Sequence, residues 1–413
     1  MPAIGLQCRN CGRQHDLGPF YVCAECLGPL EATYADAGGN PETLRARIAG
    51  GPRTLWRYAD LLPVAYDPAV DLGAGLTPLV PACNLGQALG LRHLYLKNDA
   101  CNPTWSFKDR VVEVGMAAAR QFGFKVVACA STGNLANAVA AHGARASMPT
   151  CVFLPRGLER GKLLLSAVYG ATIVEVEGTY DQVNRLCVEI SEEHPWAFVN
   201  VNVRPYYSEG GKTLGYEVAE QLGWRLPDHV VVPMASGSLL LKIAKAFGEL
   251  QRFGLVEDHA VRVHGAQAAG CAPIVTAFQE GTDVIRPVQP RTIAHSLAIG
   301  TPADGRDALE VIRSTGGRAE GVTDAEIVES MRLLAASEGI FTETAGGVTI
   351  GALRRLAASG RIDEDAIVVA YITGMGLKTQ EAVEETLPET VQIPSSLRAF
   401  EAHVLPRLDR FPA

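Results

Sequence analysis

Short β-branched runs alternate with helix-length amphipathic segments along most of the chain. Leu94–Lys97, Val126–Ala130, Cys151–Leu154, Thr172–Val176, Phe198–Val201, Val230–Pro233, Val261–Gln267 and Ile367–Ile372 read as buried strands. Between them Val111–Arg120, Gly161–Tyr169, Tyr180–Glu193, Gly211–Leu222, Leu239–Leu250 and Asp324–Ser337 carry helical patterning. Such alternation predicts an α/β architecture of parallel strands joined by crossover helices. The near-continuous apolar character of the strands predicts sheets covered on both faces. A short helix is expected at Glu42–Ile48. Beyond Thr379 the chain turns polar and Pro-interrupted, with a terminal helix expected near Ser395–Val404.

Composition narrows the class. The 413 residues suffice for two or three domains, and 47% hydrophobic with 20% charged residues excludes a disordered chain. A net charge of −8 argues against a general electrostatic grip on nucleic acid or anionic membranes. No apolar run is long enough to span a bilayer, and Met1–Asn10 lacks the pattern of a signal peptide, so a cytoplasmic location is expected. Cys83, Cys101, Cys129, Cys151, Cys187 and Cys271 are scattered through apolar segments, where a thiol acts as a small hydrophobe.

The other four cysteines stand apart. Cys8-x2-Cys11 and Cys23-x2-Cys26, eleven residues apart, form two knuckles that bring four thiolates within reach of one Zn²⁺. So short a unit needs a metal staple to fold. The intervening loop carries no basic surplus, so a structural clip is expected in preference to a nucleic-acid-binding ribbon.

Four further segments carry chemistry. Asn102-Pro103-Thr104-Trp105-Ser106-Phe107-Lys108-Asp109-Arg110 follows a strand and opens a helix, with Ser106 expected as N-cap. A lysine among apolar neighbours at such a helix start has a lowered pKa and can form a Schiff base with an aldehyde cofactor. Ala130-Ser131-Thr132-Gly133-Asn134 closes a strand with small and hydroxylated residues, a nest for a carboxylate or phosphate. Pro233-Met234-Ala235-Ser236-Gly237-Ser238-Leu239 is a second strand-to-helix turn able to approach an anion closely. Ile372-Thr373-Gly374-Met375-Gly376-Leu377-Lys378 follows the last strand, at the sheet edge where ligands bind. His142 and His295 are read as packing or hydrogen-bonding residues.

In this order the segments resemble the pyridoxal-phosphate (PLP) enzymes of the tryptophan-synthase-β fold type, and among them the threonine synthases with an N-terminal zinc ribbon. The resemblance runs from Cys8 to about Lys378 and includes Leu76-Thr77-Pro78-Leu79, Glu209-Gly210-Gly211-Lys212-Thr213, Gly265-Ala266-Gln267, Ile299-Gly300-Thr301-Pro302 and Glu338-Gly339-Ile340-Phe341. It implies that Lys108 carries PLP and moves protons at Cα and Cβ. Asn134 then bonds the cofactor's ring oxygen, Ala235, Ser236, Gly237, Ser238 and Leu239 hold its phosphate, and Thr373 faces its ring nitrogen. Ser131 and Thr132 take the substrate carboxylate, and Arg204 or Lys212 the leaving phosphate. The implied reaction converts O-phospho-L-homoserine and water to L-threonine and phosphate by γ-elimination and addition of water at Cβ.

Tyr206-Tyr207-Ser208 and Met375 depart from the family pattern where substrate identity is read. They keep open β-replacement on phosphoserine or acetylserine, cysteate formation, and threonine or serine dehydration on the same scaffold. The expected organisation is a zinc ribbon (1–34), a large PLP-binding α/β domain (35–107 and 208–392), a small mobile α/β domain (108–207) and a tail helix (393–413). A homodimer is implied by the family alone.

Overall fold

Three sheets form from these runs in the computed structural model, which describes residues 3–35, 40–131, 133–157, 160–178, 180–387 and 389–408. The chain separates into two compact units, Met1–Thr379 and Gln380–Ala413. The first unit begins with β1 (Ala3–Cys8), which pairs antiparallel with β2 (Gln14–His15) and β3 (Leu30–Tyr34). Leu6, Leu30, Ala32 and Tyr34 form its buried face.

Ten further strands build the body: β4 (Leu79–Pro81), β5 (His93–Asn98), β6 (Val126–Ala130), β7 (Thr150–Pro155), β8 (Thr172–Val176), β9 (Trp196–Phe198), β10 (His229–Pro233), β11 (Arg262–Ala268), β12 (Ala319–Val322) and β13 (Ile367–Ile372). They form a six-stranded sheet in the order β12-β11-β10-β13-β5-β4 and a four-stranded sheet in the order β8-β7-β6-β9. The smaller sheet is parallel throughout, and the larger is parallel except for β4, an antiparallel edge strand the sequence pattern did not reveal.

Burial explains the pattern. All five residues of β10 are buried, as a doubly covered parallel strand requires. Each of Val230, Val231 and Val232 contributes about 1.5–3 kcal/mol of burial free energy. The helices Ser238–Arg252 and Thr344–Ala358 both pack on this sheet. The strand order sets β10, β13 and β5 side by side, so the segments leaving their carboxyl ends emerge next to one another.

The helix expected from Val111 begins earlier, at Lys108. Ser106 does not cap it: Ser106 bridges Gly374 instead, and its Oγ is buried without a partner among the described residues. In the second unit the expected tail helix spans Leu397–His403, capped by Ser396 Oγ, which accepts from Ala399 N at 3.2 Å.

Candidate active site

At the carboxyl edge of the large sheet three segments are stitched together by backbone bonds. Phe107 N donates to Thr373 O at 2.9 Å and Met375 N to Trp105 O at 3.1 Å. Glu343 N donates to Gly374 O at 3.0 Å and Gly376 N to Phe341 O at 2.9 Å. The approach at Gly374 leaves no room for a side chain, since a Cβ there would lie 2.5 Å from Glu343 Oε1.

Lys108 opens its helix in this knot, half-buried, with Nζ 4.4 Å from the centre of the Phe107 ring. Burial pushes its amine down to about 8, against the opposing pull of the Glu343 carboxylate. Glu343 is the hub the sequence reading missed. Its carboxylate accepts from Asn134 Nδ2 at 2.8 Å and from the Thr373 hydroxyl. Burial raises its pKa above the ordinary value, opposed by Asn134, by Lys378 and Lys108, and by Thr373. Lys378 donates in turn to Asn134 Oδ1 at 2.7 Å and to Thr104 O at 2.5 Å. Asn134, Thr373, Lys108, Glu343 and Lys378 thus form one connected group spanning both sheets.

A second buried network holds the lysine segment from behind. Arg110 is fully buried and donates to Asp99 (2.7 and 2.8 Å), to Glu217 (2.5 and 2.8 Å), to Thr77 (2.9 Å) and to Thr213 (3.0 Å). Lys97 donates to Glu217 at 2.6 Å. Asp109 accepts from Thr104 N and Oγ1, both at 2.8 Å, and lies 3.1 Å from Nε2 of the buried His142. His142 is therefore a hydrogen-bonding residue, while His295 is exposed in a short 3₁₀ turn.

The turn after β10 has the shape of an anion nest. Gly237 has φ +98° and heads the fifteen-residue helix Ser238–Arg252. A Cβ at Gly237 would meet Ala308 Cβ at 2.8 Å and Asp304 O at 3.0 Å. Ala235, Ser236, Ser238 and Leu239 are half-buried around it, at a helix N-terminus whose free amides favour an anion. On the small sheet, Ser131 follows β6 and its Oγ accepts from Gly133 N at 3.4 Å, while Thr132 lies outside the described residues.

Two expected phosphate-binding cations are placed differently. Lys212 is fully buried; its ammonium donates to Leu61 O at 3.0 Å, touches Glu209 and Glu249 at 2.7 and 3.0 Å, and lies over the Tyr34 ring. That cluster satisfies Lys212 within the protein, so it serves packing and not an open pocket. Arg204, 31% exposed, pairs with Asp304 at 2.7 Å and lines a small cavity together with Ser238. The Tyr206 departure also has a structural account: its hydroxyl bonds Gly18 N and Gly18 O at 2.8 and 3.0 Å, anchoring the N-terminal sheet.

The four clustered cysteines converge as well. One ligand atom from each of Cys8, Cys11, Cys23 and Cys26 lies within 4.8 Å of the others. Tetrahedral zinc with sulfur at 2.3 Å requires S–S separations of about 3.8 Å, which this cluster can meet with small adjustment. His15 Nε2 is 3.3 Å from Cys23 Sγ.

The residues at the sheet edge fit a phosphorylated aldehyde. They supply an amine near neutral pKa, a side-chain amide fixed in orientation, a hydroxyl at the carboxyl end of the interior strand β13 and a glycine-permitted nest. Two buried hydroxyls beside the hub, Ser106 Oγ and Thr344 Oγ1, lack partners among the described residues, as the lining of a polar ligand site does.

Comparisons with known proteins agree. Residues 70–374 match the family described as pyridoxal-phosphate dependent enzyme. The chain is 38% identical to threonine synthase of Methanocaldococcus jannaschii, covering 96% of this chain and 98% of that protein. It is 35% identical to threonine synthase of Methanosarcina acetivorans, over 96% and 97%. Among solved structures it is similar in fold to the processed form of threonine deaminase isoform 2 from Solanum lycopersicum, with TM-score 0.64 and 22% identity over 86% of this chain and 96% of that one. Maize serine racemase is comparable, with TM-score 0.63 and 20% identity over 86% and 97%.

Proposed function

Because the chain belongs to the pyridoxal-phosphate dependent enzymes, and among them to the threonine synthases, we propose that it converts O-phospho-L-homoserine and water to L-threonine and phosphate. The observation that carries this reading is the meeting of Lys108, Asn134 and Thr373 around Glu343 in a chain related end to end to threonine synthases.

When bound, pyridoxal phosphate supplies an electron sink for negative charge that develops beside the substrate amino group. The protein supplies the rest. Lys108 holds the cofactor and moves protons at Cα and Cβ; a pKa of about 8 lets the amine both give and take a proton near neutrality. Glu343 and Lys378 fix the Asn134 amide, leaving one Nδ2 proton for the cofactor's ring oxygen. Thr373, a neutral hydroxyl, serves the ring nitrogen and stabilises less charge than an acid would, which suits stepwise elimination. Ala235 through Leu239 hold the phosphate chiefly by backbone amides. Ser131 and Thr132 take the substrate carboxylate, and Arg204 is the cation for the leaving phosphate. Lys212 is withdrawn from that role by its burial.

The small domain closes on the large one, excluding water until phosphate has left. The four cysteines hold a structural Zn²⁺, and the enzyme works as a cytoplasmic homodimer. No helix among the described residues is long and apolar enough to cross a membrane. Competition among O-phospho-L-homoserine, O-phospho-L-serine, O-acetyl-L-serine, L-threonine and L-serine tests the substrate assignment. The highest kcat/KM is expected for O-phospho-L-homoserine; 2-oxo acid formed fastest from L-threonine or L-serine would reassign the enzyme to dehydration.

A further inference from the structure

Arg9 links the N-terminal sheet to the wall of the anion nest. Arg9 directly follows the candidate metal ligand Cys8, and its backbone N donates to Pro29 O at 3.0 Å, so the knuckle fixes where its side chain starts. Its guanidinium donates to Asp304 Oδ1 at 2.5 Å and lies 3.1 Å from Asp307 Oδ2. Asp304 is 3% exposed and shares its other oxygen with Arg204. The backbone of Asp304 is the rear wall of the nest: its N donates to Ser236 O at 3.1 Å, and its O lies 3.0 Å from where a Gly237 Cβ would stand. Ala308, whose N donates to that same O at 3.0 Å, closes the other side.

The rest of the N-terminal sheet is tied to the helix that the nest heads. Glu31 pairs with Lys242, Lys245 donates to Ala32 O at 2.7 Å, and Tyr34 donates at 2.7 Å to Glu209, which itself pairs with Lys242 and Lys245. The sheet therefore holds both halves of the nest, the helix through Lys242 and Lys245 and the rear wall through Arg9.

We infer that Arg9 is a positioning residue for cofactor phosphate: through Asp304 it keeps the Ser236–Gly237 turn in its anion-binding shape. This rests on the reading of Ala235–Leu239 as the phosphate nest. A buried carboxylate divided between two guanidiniums has little freedom, and the backbone that carries it is fixed with it. Without Arg9, Asp304 Oδ1 loses its charged donor and the carboxylate rotates toward Arg204. The Asp304 N to Ser236 O bond moves with it, and the amides around Gly237 lose their common aim. The consequence falls on cofactor retention, at a distance from Lys108.

The test follows release of PLP from the purified holoenzyme on dilution into a PLP-scavenging apoprotein, together with the ³¹P resonance of the bound phosphate. Arg9→Met is expected to speed release about tenfold, in line with loss of one charge-assisted bond, and to shift the resonance. Arg9→Lys is expected to restore part of the effect. Arg13→Met, which breaks an exposed pair with Glu25 in the loops of the same N-terminal segment, is expected to change neither readout. Arg9→Met in an Asp304→Asn background should add nothing. Gly237→Ala separates the two claims. If it speeds release while Arg9→Met releases PLP like the wild type, even with lowered thermal stability, the positioning role is overturned and the nest stands. If Gly237→Ala also leaves release unchanged, the nest reading falls and takes this inference with it.

Discussion

Asn134 Nδ2 donates to Glu343 Oε2 across 2.8 Å, joining the first turn of a helix on the small sheet to a carboxylate at the edge of the large one. Lys378 holds the other end of the same amide at 2.7 Å. The amide is therefore clamped in one orientation before any ligand arrives, which lowers the cost of aiming its remaining proton.

Removing the amide or its Lys378 clamp should lower turnover without unfolding the protein. Asn134→Ala loses the bond itself, and kcat/KM is expected to fall about 10- to 100-fold, the range for a hydrogen bond to a charged group. Lys378→Met leaves the amide present but free to flip, so a smaller loss is expected. Steady-state kinetics of both variants check the order.

The pKa of Lys108 sets a pH profile for cofactor capture. Only the neutral amine attacks an aldehyde, so the rate at which apoprotein takes up PLP should rise about tenfold per pH unit below pH 8 and level off above it. Glu343 raises that pKa, so Glu343→Gln should move the midpoint to lower pH. Stopped-flow absorbance across pH 6–10 (roughly two units either side of 8) reads both curves.

Strands were legible in the chain because parallel, doubly covered strands are written as β-branched runs such as Val230-Val231-Val232. The helix Thr344–Ala358 was not, because Gly346, Gly347 and Gly351 lower its helix propensity. Those positions are glycine for contact: Cβ atoms there would strike Thr342, Met331 and Val322. Glu343 escaped notice for a related reason, a lone acid ahead of that unrecognised helix. Its one signal was a charge set between the apolar Ile340-Phe341 and the small Ala345-Gly346-Gly347. Lys212 was misplaced because sequence shows a cation but not its partners: Glu249 reaches it from 37 positions away. That Lys108, Asn134 and Thr373 come together was legible because each lies in a segment that leaves a strand and whose composition suits a ligand.

The Arg110 network should dominate local stability. Arg110→Met leaves Asp99 buried without its cation and Glu217 with Lys97 alone, and a loss of about 3–5 kcal/mol is expected in urea unfolding. Arg110 and Lys97 hold Glu217 down to about 2 in spite of burial. With an unfolded value of about 4.3, its contribution is full above that pH and is lost as pH falls through about 2. Glu217→Gln should therefore flatten the dependence of unfolding free energy on pH between those values.

Metal removal should act on the N-terminal sheet first. One zinc per chain is expected by elemental analysis, and chelation should expose Leu6 and Tyr34 while the Lys108 site keeps its cofactor longer than the sheet keeps its fold. Hydrogen exchange resolved by segment, with and without chelator, checks the sequence of events.

The central claim is tested most directly by incubating PLP-loaded protein with O-phospho-L-homoserine and measuring phosphate and L-threonine in the same samples, with Lys108→Ala alongside. Equal amounts of both products, absent from the variant, are the expected result. Phosphate without threonine, or neither product from protein that retains bound PLP, would contradict the assignment.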